Sequence, residues 1–233
     1  MRNIQEILLH GDLKILGRLV DASNATLLAQ STLQGEELKC IYKPIAGERP
    51  LWDFDEGTLA YREYATYLLS EKLNLHLVPT TVLREGPYGL GMIAEWIEID
   101  DSIDLMDFFQ SQDEQLRKMA LFDAIINNTD RKIGHLLPTK SGKLFGCDHG
   151  VTFHRENKLR TVLWQWAGQP LSGEELARLE LASNVFTHQD AEFGDFLSAV
   201  EIDATRVRIE QLLDNRVFPS PNPDWPSVPW PPF

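Results

Sequence analysis

With 233 residues and 43% hydrophobic content, the chain is long enough to bury a substantial core, either as one large domain or as two closely packed lobes. A formal net charge of -13 with no compensating basic run repels phosphate backbones and anionic headgroups, which argues against nucleic acid and acidic membrane surfaces as partners. Two cysteines, Cys40 and Cys147, are too few for a disulfide framework and lack a metal-type spacing, so both are expected to be reduced.

The opening stretch MRNIQEILLHGDLKIL interrupts its apolar run with Glu6, His10 and Asp12. It carries neither a signal-peptide core nor a membrane span, and a cytoplasmic protein without stable membrane insertion is expected. Residues 13–20, 26–31 and 38–42 read as a three-strand meander, with turns at Asp21–Asn24 and at Gln34 and Gly35, ending on Lys43. From Gly57 to Leu73 the apolar positions Ala60, Tyr64 and Leu68 follow helical spacing in a run free of proline. Val78–Leu83 and Gly91–Ile97 read as two more strands around the Gly86, Pro87 turn.

Near residue 100 the character changes. Leu105–Phe109, Leu116–Ile126, Glu174–Val185, Phe193–Val200 and Ala204–Leu213 are helical by periodicity. The expected architecture is α+β: a sheet-rich front lobe over 1–97, a helical lobe over 98–218, and a tail over 219–233. That tail, PSPNPDWPSVPWPPF, holds seven of the thirteen prolines, so it is expected to be extended. It either folds back through Trp225, Trp230 and Phe233 or offers a ligand to a partner's aromatic groove.

The densest polar cluster, NNTDRKIGH, follows an apolar helix and sets Asp130 on a short loop beside Arg131 and Lys132. Thirteen residues beyond His135, LFGCDHG delivers Asp148 to the end of a short strand. Singly, each aspartate fits a plain turn or strand-end role. With Lys43 and Glu63 upstream they form a pattern with a mechanical rationale. Phosphoryl transfer needs a cation on the nucleotide phosphates, an acid to hold that cation, a carboxylate for the nucleophile and another for Mg²⁺.

These segments resemble the phosphoinositide 3-/4-kinase superfamily, above all type II phosphatidylinositol 4-kinases and their plant and bacterial relatives. CIYKP is similar to the strand bearing the nucleotide-binding lysine, YREYATYLLSEKLNLHLVPTT to the following helix and strand, NNTDRKIGH to the catalytic loop, and CDHG to the metal-binding motif. The stretch from Gly150 to Leu176 also resembles an uncharacterised bacterial kinase-like group. The resemblance implies a bilobal protein-kinase-like fold and an ATP- and Mg²⁺-dependent phosphotransferase. Lys43 would bind the phosphates, Glu63 would anchor it, Asp130 would be the catalytic carboxylate and Asp148 the principal metal ligand. The stretch at Glu95 and Trp96 would form the hinge beside adenine.

Two departures from the family pattern stand out. The second metal position, normally Asn, is His135, which either favours Mn²⁺ over Mg²⁺ or leaves one ion position weak. The phosphate loop has no glycine-rich run, leaving Ser23 and Asn24 to offer main-chain amides. The acceptor is expected to be a protein or small molecule rather than a lipid, since no polybasic or palmitoylated segment is present. Two alternatives stay open: a pseudokinase that binds nucleotide without turnover, and a metal-dependent phosphohydrolase built on His135, Asp148, His149 and His154.

Overall fold

A computed structural model describes residues 3–19, 25–188 and 190–233. The front lobe is a five-stranded sheet of β1 (Asp12–Arg18), β2 (Leu27–Leu33), β3 (Glu36–Pro44), β4 (Thr81–Gly86) and β5 (Gly89–Glu95). Every pairing is antiparallel, in the order β1-β2-β3-β5-β4. Inward positions Leu27, Ala29, Cys40, Tyr42, Val82 and Ile93 alternate with outward ones and pack under a short helix, α1 (Ile4–His10), through Leu8. The sequence reading left α1 unassigned. Asn3 starts it by accepting the Glu6 amide at 3.2 Å, and Gly11 stops it.

α2 (Leu59–Lys72) crosses behind the sheet, and the chain then passes through β4 and β5 into the helical lobe. There α3 (Leu105–Phe108), α4 (Glu114–Ile126), the hairpin β6 (Leu136–Pro138) and β7 (Leu144–Gly146), α5 (Gly173–His188), α6 (Asp190–Phe193) and α7 (Ala199–Asn215) surround one large apolar cluster. The helix expected over 193–200 does not form. α6 ends at Phe193, and Ser198 with Glu201 builds a capping box that starts α7 at Ala199. The strand expected from Val78 begins instead at Thr81.

The tail docks on the helical lobe. Ser227 carbonyl accepts the Thr161 amide at 3.0 Å and the Trp164 indole N–H at 2.9 Å, and Pro232 carbonyl accepts the Ile133 amide at 2.9 Å. Pro229 is buried and Trp225 is half-buried, whereas Trp230 and Phe233 remain exposed. Folding back is therefore carried by the backbone and Trp225, not by all three aromatic residues. Among the described residues no helix is long and apolar enough to cross a membrane.

Candidate active site

β3 carries Lys43 to the boundary between the lobes. Its Nζ lies 2.6 Å from Glu63 Oε1 and 2.8 Å from Asp148 Oδ1. The second oxygen of Glu63 accepts the His149 amide at 2.9 Å, so this carboxylate joins the lysine to the segment that bears Asp148. Burial works against the Lys43 ammonium, yet Asp148 and Glu63 together hold its pKa above the ordinary lysine value. Reciprocally, Lys43 holds the Asp148 carboxyl well below the usual carboxylate range. Asp148 has a φ of 60°, a left-handed conformation that a short polar side chain tolerates better than most. Its side chain is 45% exposed, so the carboxylate faces the opening between the lobes.

α2 is fixed at both ends of its first turns. Glu48 accepts the Leu59 and Ala60 amides at 3.1 and 2.8 Å, placing a carboxylate on the positive end of the helix. Arg62, next to Glu63, pairs with Glu201 of α7, donates to Thr152 carbonyl at 2.8 Å and stacks 4.8 Å over the Phe54 ring. The helix presenting Glu63 is thus tied to the helical lobe.

The loop bearing Asp130 is organised from α4. Asn127 ends that helix with a φ of 50°, and its side chain donates to His154 and Glu156 carbonyls while accepting the Lys158 amide. Asp123, one turn earlier, is completely buried with Arg131: Nε sits 3.0 Å from Oδ2 and Nη2 2.9 Å from Oδ1. Arg131 also donates to Cys147 carbonyl at 3.1 Å and to His149 Nε2 at 2.6 Å. Asn128 donates to Asp123 at 3.0 Å and accepts the Asp130 amide at 3.0 Å, which pins the loop at the residue of interest. Burial raises the Asp130 carboxyl above its ordinary value, opposed by Lys132 at 3.5 Å and reinforced by Asp148.

The hairpin β6–β7 brings the two loops together, with the Cys147 amide bonded to His135 carbonyl at 3.1 Å. His135 Nε2 lies 3.5 Å from Asp148 Oδ2, so the two expected metal positions are neighbours. His135 Nδ1, however, accepts the Lys132 amide at 3.4 Å, which directs the proton of the neutral ring to Nε2. Burial lowers the His135 pKa to about 4, so the ring is neutral at pH 7. In this tautomer Nε2 carries the proton, 3.5 Å from Asp148 Oδ2, and offers no lone pair on that side. The donor set therefore fits a Mg²⁺ held by Asp148 and by substrate phosphates, with His135 as a neighbour of that carboxylate.

His149 and His154 have other partners among the described residues. His149 Nε2 is taken by Arg131, and His154 donates from Nε2 to Asp53 carbonyl at 3.0 Å while Nδ1 accepts the Glu156 amide at 3.0 Å. Among the described residues no group of three or more histidine, cysteine or acidic side chains is placed to hold a metal. Both cysteines are free, and burial pushes each thiol up to about 12.

Two cavities meet at Asp148. The first, about 520 Å³, has an apolar roof that includes Leu19, Ile41, Met92 and Ala94, a floor that includes Leu137 and Cys147, and Lys43 at its inner end. Its size suits a nucleotide. Glu95 and Trp96 line it, but the Glu95 amide is bonded to Thr80 carbonyl at 2.8 Å and the Trp96 amide to Lys39 carbonyl at 3.1 Å, so neither amide is free to donate to a base. Ser23 and Asn24 lie outside the described residues. The second cavity, about 320 Å³, is lined by Asp130, Asp148, Arg160, Trp52 and Trp225 among others.

Asp123 escaped the sequence reading, although its signal is plain in retrospect: one carboxylate inside the apolar run MALFDAII requires a buried cation. Arg160 and Lys158 fall in the expected activation segment, where the sequence allows either contact with an acidic substrate or a solvated loop.

A scan against models of protein families finds no match. The chain is 42% identical to Protein Rv2133c of Mycobacterium tuberculosis, over 97% of this chain and 94% of that protein. Among solved structures it resembles hydra Fam20 with sugar, with a TM-score of 0.62 at 12% identity over 91% of this chain and 86% of that one. It also resembles the Helicobacter pylori proinflammatory kinase CtkA, with a TM-score of 0.51 at 11% identity over 91% and 94% of the two chains. These likenesses establish a bilobal kinase-like fold.

Proposed function

The chain belongs to the family of the mycobacterial protein Rv2133c, and from that premise we propose that it is an ATP- and divalent-metal-dependent phosphotransferase. The observation that carries this reading is the position of Asp148. It is bonded to Lys43 and forms the shared wall between a nucleotide-sized cleft and a second cavity containing Asp130.

Lys43 binds the nucleotide phosphates, and Glu63 keeps its ammonium aimed into the cleft. Asp148 would hold a divalent cation, whose contribution is to neutralise charge on the β- and γ-phosphates. The acceptor hydroxyl oxygen forms a bond to the γ-phosphorus while the bond from that phosphorus to the β,γ-bridging oxygen breaks. The electron pair leaves on ADP, and the hydroxyl proton passes to the Asp130 carboxylate and then to solvent. Within the kinase-like fold, CIYKP, NNTDRKIGH and CDHG support a place near the type II phosphatidylinositol 4-kinase pattern. The acidic chain supports a soluble acceptor over a lipid.

One observation favours a second reading, nucleotide binding without turnover: the tautomer of His135 leaves Asp148, among the described residues, without a neighbouring imidazole lone pair as second ligand for the cation. The test is thermal unfolding with Mg-ATP, which raises the midpoint of a protein that binds it. The phosphotransferase and pseudokinase readings both predict a rise that is lost in Lys43→Ala. They part on γ-label transfer, which only the first predicts. A midpoint insensitive to ATP in the wild type would exclude both.

A further inference from the structure

The carboxylates around the second cavity each have a lysine. Asp148 is bonded to Lys43 at 2.8 Å, Asp53 to Lys158 at 2.9 Å, and Asp130 has Lys132 at 3.5 Å. Arg160 on the same wall has no ion pair or side-chain hydrogen bond among the described residues, and its buried Nε has no partner. It acts on Asp130 through space without bonding to it. Leaving a guanidinium nitrogen unsatisfied in a buried position is costly unless a ligand completes it.

The backbone holds Arg160 firmly in place. Its amide donates to Asn128 carbonyl at 2.9 Å and its carbonyl accepts the Arg131 amide at 3.1 Å, so it is laced to the residues flanking Asp130 on either side. Two tryptophans, Trp52 and Trp225, also line the cavity. Lys158 Nζ lies 4.6 Å from the Trp52 ring and 5.0 Å from the Trp225 ring, which clamps the docked tail against the loop that follows β3. Trp225 Nε1 is a second buried donor without a partner among the described residues. With Trp225 of the docked tail in its lining, the space of about 320 Å³ suits a compact ligand rather than an extended chain.

We propose that this cavity is the acceptor site and that it takes a small hydroxyl compound bearing an anionic oxygen group, phosphate or carboxylate, bound by Arg160 while the hydroxyl faces Asp130. The assignment rests on the phosphotransferase reading and supplies its acceptor class. A guanidinium matches the paired oxygens of either anion, which a lysine at the same place would not.

The test titrates inorganic phosphate, glycerol 3-phosphate, glycerate and glycerol into the full chain, with the cleft filled by a non-hydrolysable ATP analogue and Mg²⁺. Tryptophan fluorescence is the readout, since Trp52 and Trp225 border the cavity. Saturable changes are expected with inorganic phosphate and at least one of the two glycerol-derived anions, and none with glycerol. Arg160→Ala should weaken anion binding at least about tenfold and Arg160→Lys less, while an unchanged far-ultraviolet spectrum shows that the fold survives. Equal anion affinity in wild type and Arg160→Ala, or no anion binding up to 10 mM, about the ceiling for a useful site, would overturn the proposal. The same titration without nucleotide separates the two claims. If the ATP analogue fails to bind but phosphate still binds through Arg160, the phosphotransferase reading falls and the anion site stands.

Discussion

Arg131 and Asp123 form an ion pair in which neither side chain is exposed at all, and it lies directly beneath the loop that presents Asp130. A pair so placed gains little over an apolar substitute, but removing one partner strands the other charge in the core. Asp123→Ala is therefore expected to destabilise the protein by about 3–5 kcal/mol. Urea denaturation of the two proteins checks this, and a loss under about 1 kcal/mol would show that Arg131 finds water on its own.

Glu201 makes stability depend on pH. Burial acts to raise its carboxyl, but Arg62 and the Ser198 amide prevail and lower it below the ordinary 4.5. A lowered folded-state value means that the stabilisation is present above the unfolded value and is lost as pH falls through the folded one. Glu201→Gln should cost about 2–3 kcal/mol at pH 7. Its deficit relative to wild type should shrink as pH drops from 5 toward 3, roughly the range of a carboxyl with a lowered pKa. Denaturant midpoints across that range provide the measurement, and a deficit constant with pH would exclude the Arg62 pairing as the cause.

On the proposed phosphotransferase reading, Asp130 would set an acid limit on transfer. Its carboxyl is raised by burial, and a base must be deprotonated to accept the hydroxyl proton. The rate should fall as pH drops through a value above the ordinary 3.8, and Lys132→Ala, which removes a cation that lowers it, should move that limb further up. The pH profile of kcat/KM in the two proteins reads the shift. A limb that stays put in Lys132→Ala would place the titrating group elsewhere.

Much of this geometry is legible in the chain. Lys43 at the end of a third strand, Glu63 in an uninterrupted amphipathic run and the two polar loops at Asp130 and Asp148 announce themselves by local pattern, and Glu63 and Asp148 meet Lys43 at 2.6 and 2.8 Å. Asp130 is brought near by the cavity it shares with Asp148. What the pattern could not supply is pairing at a distance. Arg62 meets Glu201 across 139 residues, and Asp53 meets Lys158 across 105, with no spacing rule to connect them. Whether His135 presents a lone pair toward Asp148 depends on which ring nitrogen carries the proton, and the amide that bonds Nδ1, from Lys132, is a backbone contact that composition does not encode. The short helix α1 was hidden because three polar residues broke an apolar run that the folded chain needs on only one face, through Ile7 and Leu8.

The central claim is that Asp148 and Asp130 serve one phosphoryl transfer, and incubation with α- and γ-labelled ATP in Mg²⁺ or Mn²⁺ tests it most directly. The account predicts that γ-label is transferred by the wild type, lost in Asp148→Ala and reduced by about a hundredfold or more in Asp130→Ala. Transfer that survives Asp148→Ala, or transfer of the α-label in place of the γ-label, would contradict it.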